Sequence, residues 1–116
     1  MNENILKRAV KTLDGLKLTD IRIFDFRGSS PFFDYQVLAT GNTERQVQAS
    51  VRHLIDALPE CDFSRIEGQP EGRWILFDLG DLIINVMHRE EREYYQLEKL
   101  FYQHEEIPIG DLVDGV

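Results

Sequence analysis

Residues 33–59 read FDYQVLATGNTERQVQASVRHLIDALP, and this stretch decides the fold. From Phe33 to Thr40, Phe33, Tyr35, Val37 and Ala39 alternate with Asp34, Gln36, Leu38 and Thr40. A period of two predicts a strand with one strongly apolar face. Gly41-Asn42-Thr43-Glu44-Arg45-Gln46 follows, and Thr43 with Gln46 three residues later fits a capping box. Val47, Val51, Leu54, Ile55 and Leu58 then recur at helical spacing, and Pro59 closes the helix. Strand, Gly-led turn and helix in direct succession point to an α/β arrangement.

The flanks extend this pattern. Upstream, Asn4–Leu16 carries Ile5, Leu6, Ala9, Val10, Leu13 and Leu16 at helical spacing, with Gly15 near its end. Asp20–Phe26 reads as a strand, bounded by the loop Gly28-Ser29-Ser30-Pro31. Downstream, Phe63–Glu67 is a weak strand and Gln69-Pro70-Glu71-Gly72 a turn. Trp74–Leu79 and Leu82–Met87 flank Gly80-Asp81, which predicts a β-hairpin with a type II′ turn. A final helix is predicted over Glu90–His104, with Tyr94, Leu97 and Phe101 in a stripe widened by Tyr95 and Leu100. The order is helix, two strands, helix, three strands, helix. It predicts an α/β (α+β) domain with a mixed β-sheet of about five strands flanked by helices. We read residues 1–106 as one domain and residues 107–116, with Pro108, Gly110 and Gly115, as a C-terminal tail.

Composition narrows the class of function. The chain has 116 residues, 42% hydrophobic, which suffices for a core without disulfides or metal. Thirteen basic against twenty-one acidic residues leave a formal charge of −8. Little direct nucleic-acid binding is expected of such a chain, because it has few cations to neutralise phosphates. A basic protein partner or a small ligand suits it better. The single cysteine, Cys61, excludes an intramolecular disulfide and reads as a small, partly buried thiol. No apolar run approaches the ~20 residues of a membrane span, and Met1–Lys11 carries no signal-peptide core. A cytoplasmic protein is the expectation.

Residues suited to catalysis are sparse. There is no Gly-x-Gly pair, and His53, His88 and His104 fall at no metal-ligand spacing, so we expect neither cofactor nor metal. No serine sits in a nucleophile-elbow context. Strand, Gly41-Asn42-Thr43 and helix could cradle a phosphate, as in nucleotidyltransferases, or could simply start a capped helix. Those enzymes also need a carboxylate pair, Asp-x-Asp or Asp-x-Glu, to hold Mg²⁺. Neither pattern is present, and Asp78 and Asp81 lie three apart across a predicted turn. Trp74, Leu76 and Asp78 share one strand face. Such a face can dock a protein, or Trp74 can pack beneath a helix; both readings stay open.

A set of short motifs carries a resemblance. They are Lys17-x-x-Asp20-Ile21, Asp34-Tyr35, Thr40-Gly41-Asn42-Thr43-x-Arg45-Gln46-Val47, Glu67-Gly68, Gly72-x-Trp74, Phe77-Asp78-Leu79-Gly80-Asp81-Leu82 and Tyr95-x-Leu97-Glu98-x-Leu100. In order and spacing, over about residues 5 to 102, the chain resembles the ribosomal silencing factor family, also called Iojap-like. The resemblance implies a nucleotidyltransferase-like fold without catalytic carboxylates. It implies binding to the large ribosomal subunit through ribosomal protein L-fourteen, a block on joining of the small subunit, and repression of translation when nutrients are scarce. It implies partner-binding residues among Trp74, Asp78, Asp81, Tyr95 and Glu98, to which the shared strand face adds Leu76, and a homodimer of the free protein. Asn85, Phe101 and Thr43 stand where members usually have His, Trp and Ser. The alternatives are a nucleotidyltransferase-like enzyme and a small acidic adaptor.

Overall fold

The sheet is built around two parallel strands that are both covered on two faces. In a computed structural model, which describes residues 3–113, the elements run α1 (Glu3–Gly15), β1 (Thr19–Asp25), β2 (Tyr35–Gly41), α2 (Glu44–Ala57), β3 (Ile66–Glu67), β4 (Trp74–Asp78), β5 (Leu82–His88), α3 (Arg89–Tyr95), α4 (Leu97–Leu100), β6 (Glu105–Ile107) and α5 (Gly110–Val113). Six strands lie in the order β3-β4-β5-β2-β1-β6. Only β2 and β5 pair in parallel; α2 and the β3–β4 segment form the crossover between them.

One sheet face carries the main core. Ile23, Val37, Ala39, Ile75, Phe77, Ile84 and Val86 point from it into Leu6, Val10 and Leu13 of α1 and Val47 and Leu54 of α2. The opposite face is buried at Asn85 and Met87 of β5, and an aromatic layer covers it over β1 and β2. There Phe24, Phe26 and Leu38 pack beneath Leu97 of α4 and the Phe101 ring. Phe101 meets Phe24 and Phe26 edge-on, with centroids 5.4 and 5.2 Å apart. Thus β2 has two buried faces rather than the one its alternation predicts, because a second aromatic layer covers Leu38.

The α2 cap departs from the predicted box in one bond. Gln46 N–H donates to Thr43 Oγ1 at 3.0 Å, but the Gln46 side-chain Oε1 accepts from Asn42 N–H at 2.8 Å rather than from Thr43 N–H. The Gln46 amide nitrogen is thereby directed to the carbonyls of Leu16 and Lys17, both at 3.2 Å. Gly41 has to be small here, since a Cβ would meet Val47 Cγ2 at 2.8 Å. This turn is part of the core packing, consistent with the capped-helix reading. The β4–β5 turn matches expectation: Gly80 has φ +88°, Asp81 has no positive φ, and Leu79 N–H donates to the Leu82 carbonyl.

Two expectations at the C-terminal end need correction. The predicted helix over 90–104 breaks at Gln96, which adopts φ +50° and caps α3 through its N–H to the Arg92 carbonyl. The break changes the helical phase, so Tyr94 is 80% exposed while Leu97 and Phe101 pack inward. The supposed tail is also structured where it is described. Glu105–Ile107 adds a sixth strand antiparallel to β1, with Ile107 opposite Ile23. Ile107, Ile109 and Leu112 pack on the main core, and α5 lies against α1. Elements of three and four residues are too short to show a period, so composition alone made this segment look loose. Residues 114–116 of the predicted tail lie outside the described residues.

Candidate functional site

Past the aromatic layer, the second sheet face opens over β4. Trp74, Leu76 and Asp78 project from β4 and are half-buried, whereas Ile75 and Phe77 are fully buried on the other side. The strand periodicity therefore placed the face correctly, and Trp74 is not a core residue beneath α1 or α2. Across β5 the same face continues through Ile83, Asn85 and Met87, which pair with Asp78, Leu76 and Trp74. A cleft of about 240 Å³ opens between Glu67, Trp74 and Leu76.

Packing of α3 against the Trp74 end makes the site aromatic. The Tyr95 and Trp74 centroids are 5.0 Å apart, and Tyr94 stands edge-on to Tyr95 at 5.0 Å. Tyr95 is 47% exposed, so the pair presents edges to solvent instead of closing over itself. Beneath them the Trp74 indole N–H donates to Asn85 Oδ1 at 3.0 Å.

The β3–β4 connection sets the height of Trp74. Gly68 has φ +82°, and a Cβ there would lie 1.9 Å from the Trp74 carbonyl oxygen. Gly72 has φ +68°, and a Cβ there would lie 2.9 Å from the Glu44 carbonyl oxygen. Only glycine fits either place, which gives the Glu67-Gly68 and Gly72-x-Trp74 motifs a steric reason. Arg73 then ties this connection to two helix starts. Its guanidinium bridges Glu90 at 2.8 Å and Glu91 at 2.7 Å in α3, and approaches Glu44 of α2 at 3.7 Å. Hydrogen bonding to Arg73 holds the Glu90 carboxyl below the usual carboxylate range. His88, buried at the α3 N-cap, accepts the Glu90 N–H on Nδ1 at 3.2 Å.

The six residues singled out in the sequence separate into three groups. Trp74, Leu76 and Tyr95 share the open face. Asp78 and Asp81 sit at the hairpin turn, four strand residues or about 13 Å from Trp74 along β4. Asp81 is therefore not brought beside Trp74, because the turn closes the opposite end of the strand. Asp78 partly serves the turn: its carboxylate accepts Gly80 N–H at 3.0 Å and faces Arg65 at 3.4 Å. Asp81 has an exposed side chain, and its carbonyl accepts from Asp34 N–H at 2.8 Å.

Glu98 belongs to a cluster centred on Arg92. Arg92 is 5% exposed and bonds the Asp20 carbonyl at 3.0 Å, Thr40 Oγ1 at 2.7 Å, Asp20 Oδ2 at 3.1 Å and Glu98 Oε2 at 3.1 Å. Asp20 takes φ +46° to present both its oxygens. The cluster fastens α3 and α4 to β1 and β2, so Glu98 supports the site from within. Sequence reading missed Arg92. Its one trace was Asp20 in the Lys17-x-x-Asp20-Ile21 motif, a carboxylate at the start of an apolar strand. Among the described residues, no group of three or more His, Cys, Asp or Glu side chains is placed to hold a metal ion. No described helix is long and apolar enough to cross a membrane.

Fold and face together define a class: a small mixed-sheet α/β domain with a half-open sheet face, aromatic at one end and acidic at the other. Comparison narrows the class. Residues 1–115 match the family described as "Ribosomal silencing factor during starvation". The Ribosomal silencing factor RsfS of Bacillus subtilis is 40% identical over 119 residues, spanning 100% of this chain and 98% of that protein. A crystal structure of the Chromobacterium violaceum protein CV0518 superposes with a TM-score of 0.81 at 33% identity, covering 87% of this chain and 86% of that one. A mouse protein named "Mitochondrial assembly of ribosomal large subunit protein 1" is 30% identical over 87 residues, covering 71% of this chain and 38% of its own length. The chain belongs to the ribosomal silencing factor family.

Proposed function

We propose that this protein is a non-enzymatic translation repressor that docks on the large ribosomal subunit through ribosomal protein L-fourteen. Bound there, it blocks association with the small subunit when nutrients are limiting. Family membership supports a ribosome-associated silencing role. The observation that carries the finer reading is the open face itself. Trp74, Tyr95 and Leu76 supply apolar and aromatic area of the kind that anchors protein interfaces. Glu67 at its edge and Asp78 toward the hairpin turn add carboxylates, and the whole chain carries −8. A basic ribosomal protein complements that face, while an RNA backbone would be repelled by it. Silencing by occupancy needs only a surface of sufficient area, so a fold without a metal-binding carboxylate pair is adequate to it.

The test is sedimentation with purified ribosomal subunits. The protein should pellet with large and not with small subunits, and should reduce formation of joined ribosomes in proportion to its occupancy. Equal binding to both subunits, or to neither, would return the chain to the reading as an acidic adaptor.

A further inference from the structure

Beneath the docking face, and not on it, lies a buried amide whose bonds all go to neighbouring strands. Asn85 is 1% exposed. Its Oδ1 accepts the Trp74 indole N–H at 3.0 Å. Its Nδ2 donates to Gln36 Oε1 at 3.1 Å and to the Val37 carbonyl at 3.4 Å. An indole can only donate, so this bond fixes which way the Asn85 amide points, and the amide fixes the indole in return.

We propose that Asn85 is a positioning residue for Trp74, holding the indole in its docking orientation and acting on affinity only through it. The proposal rests on the reading of Trp74 as an interface anchor. Leu76, which Asn85 faces across the β4–β5 ladder, offers no hydrogen bond, and Tyr95 touches Trp74 only ring to ring. The amide is thus the directional restraint on a side chain that is otherwise half-exposed. A ring fixed before encounter does not have to be ordered on binding, which raises affinity without adding a contact. Because Asn85 is shielded from solvent by its neighbours, a docked partner has no access to it.

Trp74 is the only tryptophan in the chain, so a single indole N–H signal reports on the bond. In the parent protein that proton should exchange with solvent at least about 10-fold more slowly than in Asn85→Ala. Exchange in the parent as fast as in an unstructured peptide would overturn the proposal without reference to the ribosome. Binding to purified large subunits then completes a double-mutant cycle. Asn85→Ala should weaken binding about 3- to 10-fold. In a Trp74→Phe background, which lacks the N–H, the same change should alter binding by less than about twofold. An equal loss in both backgrounds would make Asn85 a general packing residue and overturn the proposal. Should Asn85→Ala not fold, Asn85→Ser, whose hydroxyl is too short to reach the indole, takes its place. If the parent does not bind large subunits, the docking reading falls and this role falls with it, while a protected indole proton would still establish the Asn85–Trp74 bond as purely structural.

Discussion

Replacing Arg92 with leucine should unfasten the α3–α4 segment while leaving the main core intact. Arg92 is 5% exposed, and four of its bonds reach α4, β1 and β2. The Asp20 carboxylate is 60% exposed and recovers its hydration, so the pair between them contributes about 0–1 kcal/mol. Glu98 is 22% exposed, and its Oε1 already lacks a partner, so losing the guanidinium leaves a largely buried carboxylate alone. Breaking such a pair from one side costs about 3–5 kcal/mol, and this cost dominates. With an unfolding entropy of about 2.1 cal/mol/K per residue, the loss corresponds to a fall in Tm of about 12–20 °C for a chain of 116 residues. Calorimetry measures that shift. Amide exchange should show α3 and α4 losing protection first, with α1 and α2 retaining theirs. Arg92→Lys should recover part of the loss, because one ammonium cannot reproduce the planar fork. A Tm within about 4 °C of the parent, or equal deprotection of α1 and α2, would refute Arg92 as the fastening of this segment.

Other outcomes follow from local geometry. Gly68→Ala should destabilise by about 2–4 kcal/mol, since its Cβ would collide with the Trp74 carbonyl at a positive φ. Gly15→Ala, with nothing near the added methyl, should be neutral or stabilise by up to about 1 kcal/mol; urea titration of the two variants checks the contrast. Arg27, Arg8, Arg73 and Arg22 hold Asp25, Glu60, Glu90 and Glu106 below their usual carboxylate range, mainly by hydrogen bonding. Depressed folded-state values stabilise above the unfolded value of about 4 and are lost as pH falls through the folded values. The urea midpoint should accordingly decline below about pH 4, and a midpoint unchanged between pH 7 and pH 3 would contradict these pairs.

How much of this was legible depends on the length of each element. The strand β2 and the two long helices announced themselves by period, β1 and β5 by apolar stretches bounded by turn residues, and Ile75 and Phe77 took the buried face that alternation assigns them. The hairpin was readable from Gly80-Asp81 because one glycine conformation suits that turn. The sixth strand was not readable, since Glu105–Ile107 gains its place from β1 and from the Arg22–Glu106 pair rather than from its own pattern. Nor was the break at Gln96, where a polar residue adopts a conformation its type does not require. As candidates, Trp74 was legible from strand parity and a motif together, Leu76 from parity alone and Tyr95 from its motif. Arg92 and Asn85 were not, because a buried polar residue is defined by partners distant in sequence: Arg92 lies 72 residues from Asp20 and Asn85 lies 49 from Gln36.

Trp74 is half-buried on the open face, so Trp74→Ala should remain folded, with circular dichroism unchanged and a Tm within several degrees of the parent. Loss of an interface anchor costs about 2–4 kcal/mol, or roughly 30- to 1,000-fold in affinity. Sedimentation of parent and variant with purified large ribosomal subunits should show stoichiometric binding of the parent and near-complete loss for Trp74→Ala at the same concentration. A folded variant that pellets with large subunits as well as the parent does would contradict the assignment of this face as the docking surface.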